Sequence, residues 1–321
     1  MGMISKKKTR FILRILESPD EMQAVEDLQR LVWPGSETDV IPLHVLVTFA
    51  HNGGVVIGAF AQEQADQAQP EATEPARESY SQLIGFVCGF PGLYYTPDGP
   101  RPKHCSHELG VHPDYRQQGV GFALKRAQWQ MVRHQGLDLV TWTYDPLLST
   151  NAFLNIARLG GVVSTYLREV YGTMRDGLNA GLPSDRFQVD WWINTQRVQR
   201  RLSRQARRPL DLAHFLSAGA EIINPTTLDS RGYALPDRPQ DSGQANAASI
   251  KYSQPLLLVE IPADFMTLKA ADPGLGLEWR LHTRTLFENL FTQGYLVVDF
   301  VRLQGQQSRS FYLLSHGENT L

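Results

Sequence analysis

Apolar residues recur along this chain with two different periods, and each change of period marks an element. Residues 11–17 (FILRILE) alternate and predict a strand. From Pro19 the apolar positions Met22, Val25, Leu28, Leu31 and Val32 follow helical spacing, with Ser18 placed to cap the helix and Pro34-Gly35 placed to stop it. A shorter helix is expected from Pro42 to about His51. Asn52-Gly53-Gly54 then turns the chain into the strand VVIGAFA. Residues 62–79 are polar and rich in Ala, Glu and Pro, so a flexible, poorly ordered hairpin loop is expected there. The returning strand covers 82–90, and a Pro/Gly-rich turn should run up to Pro102.

The most informative stretch is His107–Gln128. Cys105, His107, Leu109 and Val111 alternate with Ser106, Glu108 and Gly110, and the run ends at Pro113. Arg116, Gly119 and Gly121 then open a helix with apolar positions Val120, Ala123, Leu124, Ala127 and Met131. A strand feeding a glycine loop and a helix N-terminus makes an anion site. Amide hydrogens and the positive dipole end face whatever lies above the loop, and glycine permits the close approach. The next pieces are a buried strand over 137–146, a helix STNAFLNIARLG capped by Ser149 and ending at Gly160-Gly161, and strands in VVSTYLREVYG and FQVDWWI.

Beyond Ile193 the pattern changes. Arg197, Arg200, Arg201, Arg204 and Arg208 fall on one helical stripe, Val198 and Leu202 on another. That stripe suits a solvated helix face better than a contact with a ligand phosphate, a carrier protein or nucleic acid. Residues 224–251 read as loop. A last β-α-β-β unit (LLLVEIP, LEWRLHTRTLFENLFTQG, YLVVDFVRL, SFYLLS) is expected to dock on what precedes it and extend its sheet. The expected division is a domain over 10–195, a basic helix and linker over 196–253, and a small α+β unit over 254–321.

The loop spacing narrows the ligand. A phosphate loop of the Gly-x-x-x-x-Gly-Lys-Ser/Thr kind would need a lysine and a hydroxyl after Gly121, and neither is there. A dinucleotide fingerprint would need Gly or Ala where Leu124 stands, although Asp145 sits at about the right distance for the ribose. What remains is Arg/Gln-x-x-Gly-x-Gly/Ala. The segment LGVHPDYRQQGVG resembles motif A of the GNAT superfamily of acyl-CoA-dependent N-acyltransferases. WTYDPLLSTNAFLNIARLGG with SDRFQVDWW resembles a bacterial GNAT subgroup that also carries a C-terminal extension. The element order over residues 10–195 is similar to that family's.

The resemblance implies an α+β (α/β three-layer) fold: a mixed, splayed sheet flanked by helices, here with the smaller C-terminal β-α-β-β unit. It implies acetyl-CoA or another acyl-CoA as co-substrate, with its diphosphate on the amides of Gln118, Gly119, Val120 and Gly121 and charge from Arg116. It places the pantetheine arm along the backbone of Leu109, Gly110 and Val111, with Asn151 and Asn155 reaching the same arm. An amine must be neutral to attack, so a nearby group should take its proton. Strand alternation puts His107 and Glu108 on opposite faces and favours Glu108. The family's thiolate-protonating tyrosine, in a pattern like Y-x-K-x-G-F, is missing: Ile156 and Gly161 stand in its motif, and Tyr144 is the nearest substitute. Tyr171, Asp185 and Arg186 are expected near the acceptor end. Arg280 and Arg284 are expected to form salt bridges on a docking helix rather than clamp an anionic substrate.

Composition closes off other classes. The 321 residues can bury a sizeable core, and a formal charge of −2 argues against a general polyanion or membrane role. Two cysteines make no disulfide framework and suggest a reducing compartment, with the cytoplasm as default. MGMISKKKTR is basic, but only FILRIL follows, too short for a signal or a membrane span. HCSHE at 104–108 has no second pair at zinc spacing, so no metal is expected. The expected partner is a small-molecule or peptide amine, with no membrane and no nucleic acid; a homodimer is compatible with the sequence. A GNAT-like module that only binds or senses acyl-CoA is the alternative, because of the missing tyrosine.

Overall fold

The computed structural model describes residues 9–35, 37–62, 80–172, 181–203, 210–237, 250–305 and 307–316. The polar segment 63–79 and the arginines at 204 and 208 lie outside these. The fold is mixed α+β with mostly antiparallel strands and flanking helices, in two compact units, Met1–Asp138 and Leu139–Leu321.

In the first unit four antiparallel strands run in the order β1 (Phe11–Ile15), β2 (Val55–Gln62), β3 (Tyr80–Thr96), β4 (Gly99–Val111). Helix α1 (Pro19–Val32) starts at the expected cap: Ser18 accepts from the Glu21 amide, and Glu21 reaches back to the Ser18 amide. With α2 (Leu43–His51) it buries Met22, Val25, Leu28 and Leu46 against Val56, Phe60, Phe86 and Cys88. Helix α3 (Val120–His134) covers the other face, with Val120 and Leu124 against Ile57, Ala59, Ile84 and Val87. Its buried stripe also takes in Lys125 and Gln128, two polar residues the apolar spacing does not predict.

The β3–β4 hairpin departs from the expected turn over 91–102. Pairing continues from Pro91↔His104 to Thr96↔Gly99, leaving only a two-residue tip. Leu93-Tyr94-Tyr95-Thr96 is strand-prone and outweighs the prolines around it.

The second unit has strand order β5 (Leu139–Tyr144), β7 (Arg186–Trp192), β6 (Val162–Leu167), β12 (Tyr295–Leu303), β13 (Arg309–His316), β11 (Leu256–Ile261), β8 (Glu221–Ile222). The C-terminal strands therefore do extend the sheet of β5–β7, through β12 on β6 at Val297↔Val163. One apolar core serves both parts: Tyr144, Ile156, Phe187 and Val189 share it with Trp279, Phe287, Leu290 and Tyr312. Helix α8 (Pro273–Thr292) supplies Trp279 and Phe287. The expected loop over 224–251 contains a hairpin of β9 (Thr227–Leu228) with β10 (Ala234–Leu235), and α6 (Leu212–Ser217) and β8 precede it. A short helix α7 (Phe265–Ala271), not predicted, precedes α8.

The segment after β5 also differs from expectation. It is α-helical only over α4 (Ser149–Ala152) and continues as a π-helix over Phe153–Arg158. Ser149 is not its cap: Leu148 holds that position, and the Ser149 hydroxyl pairs with Ser310.

Candidate functional site

Strand β4 ends at Val111, and a 3-10 turn (Pro113–Tyr115) leads into the loop before α3. Gly119 is the N-cap of α3 at φ 87°, with no side chain capping the helix. A Cβ there would meet nothing within 4 Å, so the glycine is required by its dihedral alone. Gln117 also lies in the left-handed region, at φ 64°. Two left-handed residues separated by one other curl the main chain into a concave turn ahead of a helix N-terminus, a shape and polarity suited to an anion.

The side chains of this loop are tied into the unit. Arg116 donates from Nε to the Val111 carbonyl at 3.3 Å and from Nη2 to the Val32 carbonyl at 3.4 Å. Gln118 donates to the Asp114 carbonyl at 3.2 Å and accepts from the Thr9 amide at 3.1 Å. Gly121 faces Leu109 and Val111 at 3.7 Å, an ordinary contact distance for an added Cβ.

The register of β4 corrects the expectation for His107 and Glu108. Cys88 pairs with Glu108 and Gly89 with Ser106, so His107 is an extra, unpaired residue: a β-bulge. The bulge resets the alternation. Leu109 remains on the α3 face, whereas Glu108 and Gly110 lie opposite Cys88 and Phe86 on the α1/α2 face. His107 turns to that same side, its ring 6.4 Å from Phe49 and 5.9 Å from Phe90. Both side chains thus share a face, which strict alternation forbids. Gly110 is small because the Phe86 ring covers it: a Cβ would come within 2.5 Å.

Glu108 is partly buried, and its Oε2 is enclosed without a hydrogen-bond partner. Burial, with a smaller contribution from Asp39, pushes its pKa up to about 8. On the α3 face His104, Ser106, Lys125 and Gln128 form a buried polar set: Lys125 donates to Ser106 at 3.0 Å and to Gln128 at 2.8 Å. Gln128 meets His104 at 3.2 Å. Burial, then the Lys125 charge, lowers His104 to about 3. The sequence signal for this set was Lys125 beside Leu124 on the inward face of α3. No group of three or more His, Cys, Asp or Glu able to hold a metal occurs among the described residues.

In the second unit Tyr144 is buried, and burial raises its phenol above the ordinary range. Its hydroxyl lies 3.1 Å from that of Tyr312. Tyr312 in turn donates to the Pro146 carbonyl at 2.7 Å, so Tyr144 is the donor of the pair. Asn151 is exposed on α4, and Asn155 is buried in the π-helix. Asp185 is fully buried in a two-bonded pair with Arg284, 2.8 Å each, and also accepts from Tyr166 at 2.8 Å. Arg280 is buried beside Asp145. Both α8 arginines therefore dock the helix through ion pairs. Tyr171 is half exposed, its hydroxyl 2.7 Å from Thr143, with the Arg186 guanidinium 5.4 Å from its ring.

Of the arginine stripe, Arg200 is exposed, but Arg197 and Arg201 are drawn inward. On α5 (Gln196–Leu202), Arg197 donates to the Gly160 carbonyl at 2.9 Å, and Arg201 donates to the Ala157 carbonyl at 2.7 Å and to Asp299 at 2.6 Å. Nothing in the spacing of the arginines foretells these targets, which lie about 40 and 100 residues away in sequence.

A strand leading into a glycine that caps a helix, with a raised carboxyl on the strand, is an arrangement able to hold an anion near a proton acceptor. Residues 45–154, about a third of the chain, match the model of the Acetyltransferase (GNAT) family. No curated protein matches significantly. Among solved structures, Arabidopsis thaliana NAA60 in complex with acetyl-CoA is 17% identical at a TM-score of 0.42, covering 58% of this chain and 100% of its own. A GNAT-family acetyltransferase from Streptococcus pneumoniae is 12% identical at 0.40, covering 56% and 98%. Likeness at that level carries no conclusion about activity. No helix among the described residues is long and apolar enough to cross a membrane.

Proposed function

We propose that this protein is an acyl-CoA-dependent N-acyltransferase that moves an acetyl or other short acyl group to an amine. The observation that carries the reading is the turn from β4 into α3, with its left-handed Gly119 cap, inside the segment that matches the GNAT family. The amides of Gln118, Gly119, Val120 and Gly121 would hold the diphosphate of acetyl-CoA, with Arg116 bracing the loop and adding charge. The main chain of Leu109–Val111 would pair with the pantetheine arm, and one of those amides would stabilise the carbonyl oxygen as charge builds. Asn151 and Asn155 would reach the same arm. The acceptor would be a small-molecule or peptide amine, and the setting the cytoplasm.

Chemistry follows from Glu108. The amine nitrogen attacks the thioester carbonyl, the C–N bond forms and the C–S bond breaks, and the amine's proton passes to Glu108. A carboxyl with a pKa near 8 is matched to that task near neutrality. The departing thiolate takes a proton from Tyr144 or from water. The phenol is the costlier donor, because its proton already serves Tyr312.

The test is incubation of the protein with acetyl-CoA and a panel of amines, following release of free thiol. Turnover that disappears in Gly119→Glu supports the transferase. Tight acetyl-CoA binding without turnover moves the assignment to a binding or sensing module, a reading favoured by the fully buried Ile156 at the usual tyrosine position. No binding at all overturns both.

A further inference from the structure

The helical segment that bears Asn151 and Asn155 is held from outside. Its beginning is fixed by Tyr312 on the Pro146 carbonyl and by Arg302, which donates to Ser149 at 3.0 Å and stands over the Phe153 ring at 4.8 Å. Its end is fixed by α5: Arg201 holds the Ala157 carbonyl and Arg197 the Gly160 carbonyl. Both guanidiniums are anchored in turn on β12, Arg201 on Asp299 and Arg197 on the Val298 carbonyl. Asp299 sits at a register shift of that strand. Two cations at the C-terminal end of a helix also suit its dipole.

The helix so braced is a π-helix, with Leu159 donating to the Leu154 carbonyl at 2.9 Å. A π-turn carries one residue more than an α-turn and is disfavoured without outside support. Reversion to α spacing would rotate the residues before it by about 100° against those after it. The orientation of Asn155 therefore depends on what keeps the turn wide.

We propose that Arg197 and Arg201 are positioning residues for acyl-CoA binding: through the Ala157 and Gly160 carbonyls they maintain the π-turn that orients Asn155. This rests on the acyltransferase reading, in which Asn155 reaches the pantetheine arm. It gives the chain beyond residue 195 a part in binding the co-substrate through the helix it braces.

The test is calorimetric titration of acetyl-CoA, paired with hydrogen exchange over residues 153–161. Arg201→Ala is expected to weaken binding about tenfold and to speed exchange in that segment. Arg201→Lys should recover part of the loss, since an ammonium supplies charge but not the two-ended bridge. If the alanine variant does not fold, Arg201→Lys and Arg201→Gln are compared on the same two readouts. Arg309→Gln, which weakens the Glu260 pair elsewhere in the unit, should lower thermal stability and leave affinity unchanged. Arg201 variants that bind within twofold of wild type overturn the proposal, as does an equal loss of affinity in Arg309→Gln. A wild-type protein that binds no acetyl-CoA overturns the acyltransferase reading instead, and the positioning role with it.

Discussion

Three glycines near the β4–α3 turn look alike in the sequence and are glycine for different reasons. Gly110 has the Phe86 ring against it, so Gly110→Ala should cost about 1–3 kcal/mol by overpacking, and Phe86→Leu should recover part of that. Gly119 has free space but a left-handed dihedral, so Gly119→Ala should cost about 1–2 kcal/mol. Gly121 has neither constraint, and Gly121→Ala should change stability by less than about 0.5 kcal/mol. Chemical denaturation of the three variants checks the ranking. Glu108 makes a second prediction at this scale. Its folded pKa, near 8, exceeds its unfolded value of 4.5, so between these pH values the folded state binds more protons. Its contribution to stability is therefore present below pH 4.5 and is lost as pH rises through 8. His104 has the opposite sign: its folded value, near 3, lies below 6.5, and its contribution falls away as pH drops through that window. Glu108→Gln should abolish the loss of stability between pH 4.5 and 8, and turnover in wild type should rise with an apparent pKa near 8. A denaturation series showing the same alkaline decline in both proteins would remove the carboxyl from this account.

Among the elements, α8 shows how exposure decides what an ion pair contributes. Arg284 pairs with a fully buried Asp185, and Arg284→Ala would leave that carboxylate without its cation, at a cost of about 3 kcal/mol. Arg168 and Glu288 are as close, but Arg168 is 60% exposed and water screens the pair, so Arg168→Ala should destabilise far less than Arg284→Ala. Melting of the two variants side by side checks the contrast. The β4 bulge acts at this scale too. Because side-chain direction has a period of two, one unpaired residue at His107 changes the face of everything before it. Sequence alternation placed Leu109 and Val111 on their apolar face, but it could not place His107, since a bulge depends on the partner strand.

For the whole molecule, the core beyond residue 139 has no seam near residue 195. Phe187 meets Phe287 edge to face at 4.7 Å and Tyr312 at 5.5 Å, and Ile156 and Val189 lie in the same cluster. A chain ending at 195 would expose this apolar surface and is expected to lose its near-ultraviolet circular dichroism and cooperative melting. A truncated protein that melts sharply and binds acetyl-CoA would contradict this.

The sequence alone determined most of the local elements and the glycine turn before α3, because both arise from short-range causes: apolar period, caps, and glycines that admit left-handed dihedrals. It also placed the C-terminal strands on the sheet of β5–β7, since their apolar surface had to be covered. Only the tertiary structure decided where the polar groups go. Arg197 and Arg201 turned inward to distant carbonyls, Lys125 and His104 became buried, Tyr144 came to donate a hydrogen bond to Tyr312, and Glu108 gained its raised pKa. Each of these follows from partners far away in the chain, and a charge has no settled role until folding fixes what surrounds it.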